Sequence, residues 1–207
     1  MKKVIVGVIA LSVAILIFIK VNAGSSNRSV PGIPAPIQTA ATGGTSFEKG
    51  GYNITIDYKA AYTVEALVLS SRKYSPIDID GKLMPKDVAL GWGAVAEYND
   101  RINFHWQQSG RWYFWRVNSY SELSPVGNES DVSRQSANNH LVPSNDEIRK
   151  QITKIKTGDH VIITGYLVDI RAEKEDGSYK IWKTSTLRED TGAGSCEIIY
   201  VTGIQIL

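Results

Sequence analysis

The sequence predicts an α+β fold that is mostly antiparallel β: a small OB-like or barrel-like domain with one clear helix, preceded by an N-terminal membrane helix. Three observations predict it. They are a charge-free apolar run at the N-terminus, several β-branched or aromatic segments separated by turn residues, and one capped, apolar-striped segment after residue 144. The chain has 207 residues, 43% hydrophobic and 21% charged, and this composition excludes global disorder.

The N-terminal segment, residues 1–23, is expected to direct the chain to a membrane. Lys2 and Lys3 precede residues 4–19, which carry no charge. A positive start followed by an apolar run is typical of a signal anchor, and the positive-inside rule places residues 24–207 outside the cytoplasm. Val21 and Ala23 also fit a cleavage site after Ala23, so a cleaved signal and a secreted or periplasmic product remain an alternative.

Charge and composition divide the rest of the chain. Residues 24–51 are rich in Gly, Ser, Pro and Ala and are expected to form a flexible linker, and residues 52–207 a single extracytoplasmic β-rich domain. Residues 1–45 hold four of the 23 basic residues and none of the 21 acidic ones, so residues 46–207 carry a net charge of −2. A slightly acidic domain disfavours nucleic acid as a partner.

The first half of the domain is expected to contain one strand and one hairpin. Residues 62–69 are apolar and β-branched, which favours a strand. Residues 102–107 and 111–117 flank Gln108-Ser109-Gly110 and predict a hairpin with a glycine-bearing loop. Residues 74–84 and 119–139 are polar or rich in turn residues and are expected to be loops. Residues 87–96 are compatible with a short helix or a turn.

The one convincing helix of the domain begins near residue 144. Ser144 and Glu147 fit a capping box, and Ile148, Ile152 and Ile155 form an apolar stripe. Gly158 is expected to end it.

After residue 160 the sequence returns to β structure. Residues 161–170 are apolar with Gly165 inside, a pattern that indicates a bulge or a sharp bend. Residues 179–185 and 197–207 complete a group of three strands, and the last one ends with the chain.

The stretch from residue 140 to residue 201 resembles an uncharacterised bacterial family of membrane-anchored or exported proteins. The shared features are His140-Leu141-Val142-Pro143, Gly158-Asp159-His160-Val161, Gly165-Tyr166-Leu167-Val168, Trp182, Thr186-Leu187-Arg188-Glu189-Asp190-Thr191-Gly192 and Cys196-Glu197. That resemblance implies a cell-envelope location and assigns no activity or site.

The layout is also partly similar to that of sortases: a His, a helix, a Gly-Asp strand entry, then Thr186-Leu187 ahead of a Cys. Two features depart from the sortase pattern. Cys196 comes nine positions after Leu187, and no Arg follows it.

Cys196 is the only cysteine, and two interpretations of it are open. It could be a thiol nucleophile with His140 as its base and Asp190 as the group that orients the base. The preferred interpretation is a small buried residue at the start of a core strand, with no catalytic residue in the chain. His105, His140 and His160 lie on separate segments, so no metal site and no cofactor are expected.

The hairpin carries an unusual concentration of aromatic residues. Trp106, Trp112 and Trp115 lie within ten residues, beside Arg111 and Arg116. Such a set can stack on a sugar ring or another flat ligand, or simply fill a core, and we expect one face to be exposed for binding.

The sequence therefore favours a membrane-tethered binding or assembly module of the bacterial cell envelope. Its expected partners are the membrane and envelope proteins or a glycan, and its ligand is not specified. The alternative is a cysteine-dependent acyl transferase or peptidase at the membrane surface that uses Cys196 and His140.

Overall fold

The computed structural model describes residues 26–187 and 195–207. Its strands are β1 (Ile37–Ala40), β2 (Gly44–Lys49), β3 (Tyr52–Lys73), β4 (Lys86–Gly91), β5 (Gln107–Ser109), β6 (Trp112–Phe114), β7 (Ser136–Pro143), β8 (His160–Glu173), β9 (Tyr179–Trp182) and β10 (Glu197–Ile206). Its helices are α1 (Ile79–Leu83), α2 (Gly93–Glu97), α3 (Glu129–Arg134) and α4 (Asp146–Lys154), with a 3-10 turn at Tyr120–Leu123.

Five strands close into a ring, and this ring is the centre of the domain. The pairing runs β3–β4–β7–β10–β8, and β8 returns to pair with β3. Every pair in the ring is antiparallel except β7–β10, which is parallel. Helix α4 connects β7 to β8, and β1, β2 and β9 extend the sheet from β3 and β8. The expectation of a mostly antiparallel, barrel-like α+β domain with few helices is confirmed.

The backbones of β8 and β10 approach each other closely at Gly165. A Cβ on Gly165 would lie 2.1 Å from the carbonyl oxygen of Tyr200 on β10, so no side chain fits there. The register slips opposite this region, between Val201 and Gly203 on β10, and between Tyr58 and Ala60 on β3. The irregularity predicted at Gly165 therefore lies on its partner strands, where it allows long strands to curve.

Helix α4 forms close to where the sequence predicts it, with a different cap. Asn145 is the N-cap, and its side chain accepts a hydrogen bond from the backbone N–H of Ile148. The predicted box between Ser144 and Glu147 is one residue out of phase, because an Asn adjacent to the Ser serves the cap equally well. Ile148 and Ile152 are buried in the larger core, as the stripe predicts.

The predicted linker is folded onto the domain over the residues that the structure describes. The backbone N–H groups of Ser26 and Val30 donate to the carbonyls of Leu69 and Ala96. Ile33 is buried, and β1 and β2 pair with β3. The boundary predicted at residue 51 therefore moves toward the N-terminus. Composition suggested a tether because backbone pairing with a distant strand leaves no signal in the segment itself.

The region expected to be the longest loop, residues 119–139, contains more structure than its polarity indicates. It holds the 3-10 turn, helix α3 and the first half of β7. Asn138 and Asn139 are almost fully buried in β7, between β4 and β10. Residues 74–84 likewise contain helix α1, and residues 87–96 divide into β4 and helix α2.

Among the residues that the structure describes, no helix has the length and apolarity needed to cross a membrane. The predicted membrane segment, residues 1–23, lies outside them.

Candidate functional site

Three neighbouring strands bring an acid, an imidazole and a thiol together. Asp87 on β4 is directly opposite His140 on β7, so their side chains share one face of the sheet. His140 is in turn opposite Ile198 on β10. Cys196 immediately precedes β10, and its Sγ lies 3.5 Å from Nδ2 of Asn138, which shares a face of β7 with His140 because side chains alternate along a strand. The candidate site is therefore assembled by strand register from residues far apart in sequence.

The imidazole of His140 lies between the other two groups. Its Nδ1 is 2.9 Å from Oδ1 of Asp87. Burial by itself lowers the pKa of His140, but the polar contacts with Asp87 and Cys196, together with their negative charges, outweigh burial and raise this pKa to about 9. At neutral pH the ring therefore favours the imidazolium form, held between a carboxylate and the sulfur.

Asp87 is held in place by the side chains of Arg111 and Tyr74. Its side chain is 1% exposed, and Nη1 of Arg111 lies 2.8 Å from its Oδ1. The same Nη1 donates to the carbonyl of Met84, at 3.0 Å. The guanidinium also stacks on the ring of Tyr74, with 3.7 Å from its central carbon to the ring centroid. Burial and the nearby charge of Asp87 raise the pKa of Tyr74 to about 12, so its hydroxyl stays protonated.

Arg111 reaches the site from a strained turn. Ser109 pairs with Trp112, so the hairpin loop is the two residues Gly110 and Arg111, both with positive φ (57° and 72°). This is the backbone of a tight turn that matches strand twist, and an Arg in it is uncommon. The backbone N–H of Arg111 donates to the hydroxyl of Tyr74 at 3.1 Å, which helps to hold this conformation.

The hairpin is thus shorter than predicted. Its strands are β5 and β6, three residues each, rather than residues 102–107 and 111–117. The turn falls at Gly110-Arg111 instead of Gln108-Ser109-Gly110, because Gln108 and Arg111 are held by contacts with β7 and β4 that local sequence does not reveal.

Asn138 contacts the sulfur directly. It is 1% exposed, and its Nδ2 lies 3.5 Å from Sγ of Cys196. The same Nδ2 donates to the carbonyl of Arg111 at 2.9 Å, and its Oδ1 accepts from Nε2 of Gln108 at 2.9 Å. The amide is therefore oriented with a donor toward the thiol.

Tyr113 completes the wall on the hairpin side. Its hydroxyl contacts the hydroxyl and carbonyl oxygens of Ser136, at 3.3 and 3.4 Å. Burial, opposed by the contact with Ser136 and reinforced by the charges of Glu197 and Cys196, raises the pKa of Tyr113 to about 12. Cys196 itself is partly exposed and immediately precedes β10. The thiol is therefore less buried than the preferred sequence interpretation expected.

The structure divides the predicted aromatic ligand site into an inner and an outer set. Trp106 is 1% exposed, and its Nε1 donates to Asn99, so it is a core residue with no face available to a ligand. Trp115 is half-buried and packs at an angle against Phe104 and Trp106. Trp112 is exposed, as are its neighbours Phe114 and Arg116. Arg111 points inward to Asp87 and not to the aromatic surface.

Asp190, expected to orient the imidazole, lies outside the described residues, as does the stretch 188–194. The carboxylate that contacts His140 in the structure is that of Asp87. Sequence reasoning missed Asp87 and Asn138. The available signal for Asp87 was its place directly before the apolar run Val88-Ala89-Leu90, which predicts that the carboxylate is buried. A buried carboxylate needs a partner of opposite charge or a hydrogen-bond donor.

His160 is far from this arrangement in the topology. Nε2 of His160 is 2.9 Å from Oε1 of Glu65, at the opposite end of the strand pair β8–β10. Within residues 26–187 and 195–207, no group of three or more His, Cys, Asp or Glu is placed to hold a metal ion.

Comparison of the chain with protein-family models, with curated proteins and with solved structures finds no match. The function must therefore be argued from the site itself.

Proposed function

We propose that this protein is a cysteine-dependent acyl transferase or hydrolase, with Cys196 as nucleophile, His140 as acid and base, and Asp87 as the group that orients His140. One observation carries the proposal: these three residues meet on one face of three adjacent strands, with the imidazole between carboxylate and thiol. A nucleophile within reach of a base that is itself oriented by a third group is the arrangement that nucleophilic catalysis requires.

The chemistry follows from the charges in the site. In the reactive form of the site the proton is already on His140, and the thiolate of Cys196 attacks the carbonyl carbon of an ester, thioester or amide. A C–S bond forms, the carbonyl oxygen becomes negative, and collapse of this adduct expels the leaving group with the proton from His140. Water or an acceptor amine then attacks the thioester, gives its proton to His140, and releases Cys196 as thiolate. No external cofactor is needed for this sequence.

Asp87 supports these steps by stabilising the imidazolium. Its contact with Nδ1 leaves Nε2 as the ring nitrogen available to the thiol. Arg111 and Tyr74 hold the carboxylate in place from the opposite side. The acid is therefore a fixed part of the site and not a mobile surface group.

The proposal extends to location and scaffold. The charge-free run at residues 4–19 supports a single-pass anchor in the cytoplasmic membrane, with residues 24–207 extracytoplasmic. In the ring, the first strand pairs with the second and fourth, and the third pairs in parallel with the fifth. This order and the helix between its third and fourth strands support an OB-type barrel. Such barrels bind ligands on the surface of their strands and on the adjoining loops.

A second candidate function rests on the outer face of the hairpin. Trp112 and Phe114 are 38% and 53% exposed, next to the exposed Arg116. Exposed aromatic rings beside a cation suit a sugar or another flat ligand, which supports the binding or assembly module that the sequence favours. In that case Cys196 would have no chemical role.

The test is acylation of the full-length protein in detergent by 4-nitrophenyl acetate. We expect a burst of nitrophenolate and one acetyl group on Cys196, the only cysteine of the chain. Cys196→Ala and His140→Gln should remove the burst, while His160→Gln, a matched change in the distant pair, should retain it. If the wild-type protein shows no acetyl thioester, or His140→Gln acylates at the wild-type rate, the enzymatic function is refuted and the binding module is favoured.

A further inference from the structure

The buried amide of Asn138 is the group beside the thiol that the mechanism above does not use. It is one of a few polar side chains buried in β7, in a strand that pairs on both sides. A buried amide in such a strand needs partners for two N–H hydrogens and one oxygen. Asn138 has a contact for each of them: the carbonyl of Arg111, Sγ of Cys196 and Nε2 of Gln108.

These contacts allow only one orientation of the amide. In the reverse orientation, Oδ1 would face the carbonyl of Arg111 and the sulfur, and Nδ2 would face the N–H of Gln108. Acceptor would then meet acceptor and donor would meet donor, which is costly in a buried site. The hairpin β5–β6 supplies both contacts that set the orientation, because Gln108 is on β5 and Arg111 is in the turn.

We infer that Asn138 is a further catalytic residue, which donates a hydrogen bond to the sulfur of Cys196, and that Gln108 is its positioning residue. The inference rests on the proposed function. The sulfur carries negative charge at two points of that reaction, before it attacks the carbonyl carbon and when the thioester C–S bond breaks. At the second point the sulfur departs with the bonding electron pair, and an N–H already aimed at it stabilises the departing thiolate.

This role makes a prediction that simple packing does not. Loss of the donor should slow thioester breakdown more than thioester formation, because stabilised sulfur is a better leaving group but a weaker nucleophile. A residue that only supports β7 would lower the amount of folded protein without changing the ratio of the two rates. The ratio of deacylation to acylation rates is therefore the informative measurement.

The experiment compares full-length variants in detergent with 4-nitrophenyl acetate, measuring burst rate, steady-state rate and the fraction of acetylated Cys196. For Asn138→Ala and Asn138→Asp we expect the deacylation rate to fall about ten-fold or more relative to the acylation rate, so that acetyl-enzyme accumulates. Asp is the matched change in shape that replaces the donor with an acceptor. Thermal unfolding of each variant verifies that it is folded.

Gln108→Glu provides a second test outside the buried strand. It replaces the donor facing Oδ1 with an acceptor, which disfavours the productive orientation, and we expect the same accumulation of acetyl-enzyme. In an Asn138→Ala background, Gln108→Glu should add nothing further, since the two residues act through one contact. Gln107→Glu, one residue earlier on β5, serves as the control and should leave both rates unchanged.

The outcomes separate the two claims. If the wild-type protein acylates on Cys196 and folded Asn138 or Gln108 variants keep the wild-type ratio of rates, Asn138 has no catalytic role and the proposed function stands. If the wild-type protein does not acylate at all, the proposed function and this inference are both overturned.

Discussion

Two histidine–carboxylate pairs, one on β4 and β7 and the other on β3 and β8, share one separation and differ in surroundings. In each, a ring nitrogen lies 2.9 Å from a carboxylate oxygen: His140 with Asp87, and His160 with Glu65. Asp87 is 1% exposed and contacts Arg111, whereas Glu65 is 34% exposed. Only the first pair has a thiol beside it. The comparison teaches that burial and a third group, more than the distance within the pair, make an ion pair a candidate for chemistry.

The largest effect is expected when each pair loses its negative charge. Asp87→Asn keeps the shape of the side chain but leaves Arg111 and His140 buried without their counter-charge, which should lower the free energy of unfolding by about 3–5 kcal/mol. The matched change Glu65→Gln should cost only about 0–1 kcal/mol, since that carboxylate is partly solvated. Denaturant unfolding measures both. Equal losses in the two variants would show that burial does not distinguish the pairs.

The pH dependence of stability sharpens the same comparison. The pKa of His140 is raised from 6.5 to about 9 in the folded protein. A raised folded pKa means that protonation stabilises the fold fully below about pH 6.5, and this contribution is lost as the pH rises through 9. The stability difference between wild type and His140→Gln should therefore shrink across that window, with a slope of at most about 1.4 kcal/mol per pH unit. A stability difference that stays constant from about pH 6 to about pH 10, a range that spans both pKa values, would contradict this prediction.

Alkylation of the single cysteine tests whether the first pair activates the thiol. We expect iodoacetamide to label Cys196 in the native protein, because the side chain is partly exposed and next to an imidazolium. His140→Gln should slow labelling by about ten-fold or more, and His160→Gln should leave it unchanged. Labelling only after denaturation would instead support the structural cysteine that the sequence favours.

The smallest effect is expected from the outer support of Asp87. Tyr74→Phe removes the hydroxyl that accepts from the backbone N–H of Arg111, and the free energy of unfolding should fall by about 1 kcal/mol. Tyr120→Phe is the control on an exposed side chain, and it should change stability little. No loss in Tyr74→Phe would mean that the turn is held by the guanidinium contacts alone.

Strand β7 and helix α4 show how far sequence reasoning extends. Helix α4 was predictable because its signals are local: a capping side chain at its start and isoleucines spaced for one buried face. Strand β7 was not, because Ser136, Asn138 and Asn139 are polar and buried together. The hairpin, which is distant in sequence, supplies partners for two of them: Tyr113 contacts Ser136 and Gln108 contacts Asn138. Local polarity indicated a loop, whereas these non-local hydrogen bonds allow a strand.

The candidate site divides in the same way. Cys196 and His140 stood out in the sequence because a lone cysteine and a few histidines are easily recognised as chemically capable residues. Asp87 did not, since one aspartate among many acidic residues carries no local mark. The register that sets it opposite His140 depends on the pairing of β4 with β7. Choosing among carboxylates required knowing which strands are neighbours.

The sequence by itself determined a β-rich domain, helix α4 and the two residues most capable of chemistry, because each depends on composition or on neighbours a few positions away; the membrane segment stays a prediction. Only the tertiary structure decided that the linker folds onto the domain, that the polar stretch before His140 is a central strand, and that Asp87 and Asn138 join Cys196. These features depend on strand order and register, which bring residues from distant segments of the chain within hydrogen-bonding distance, about 3 Å, and no short-range pattern encodes them.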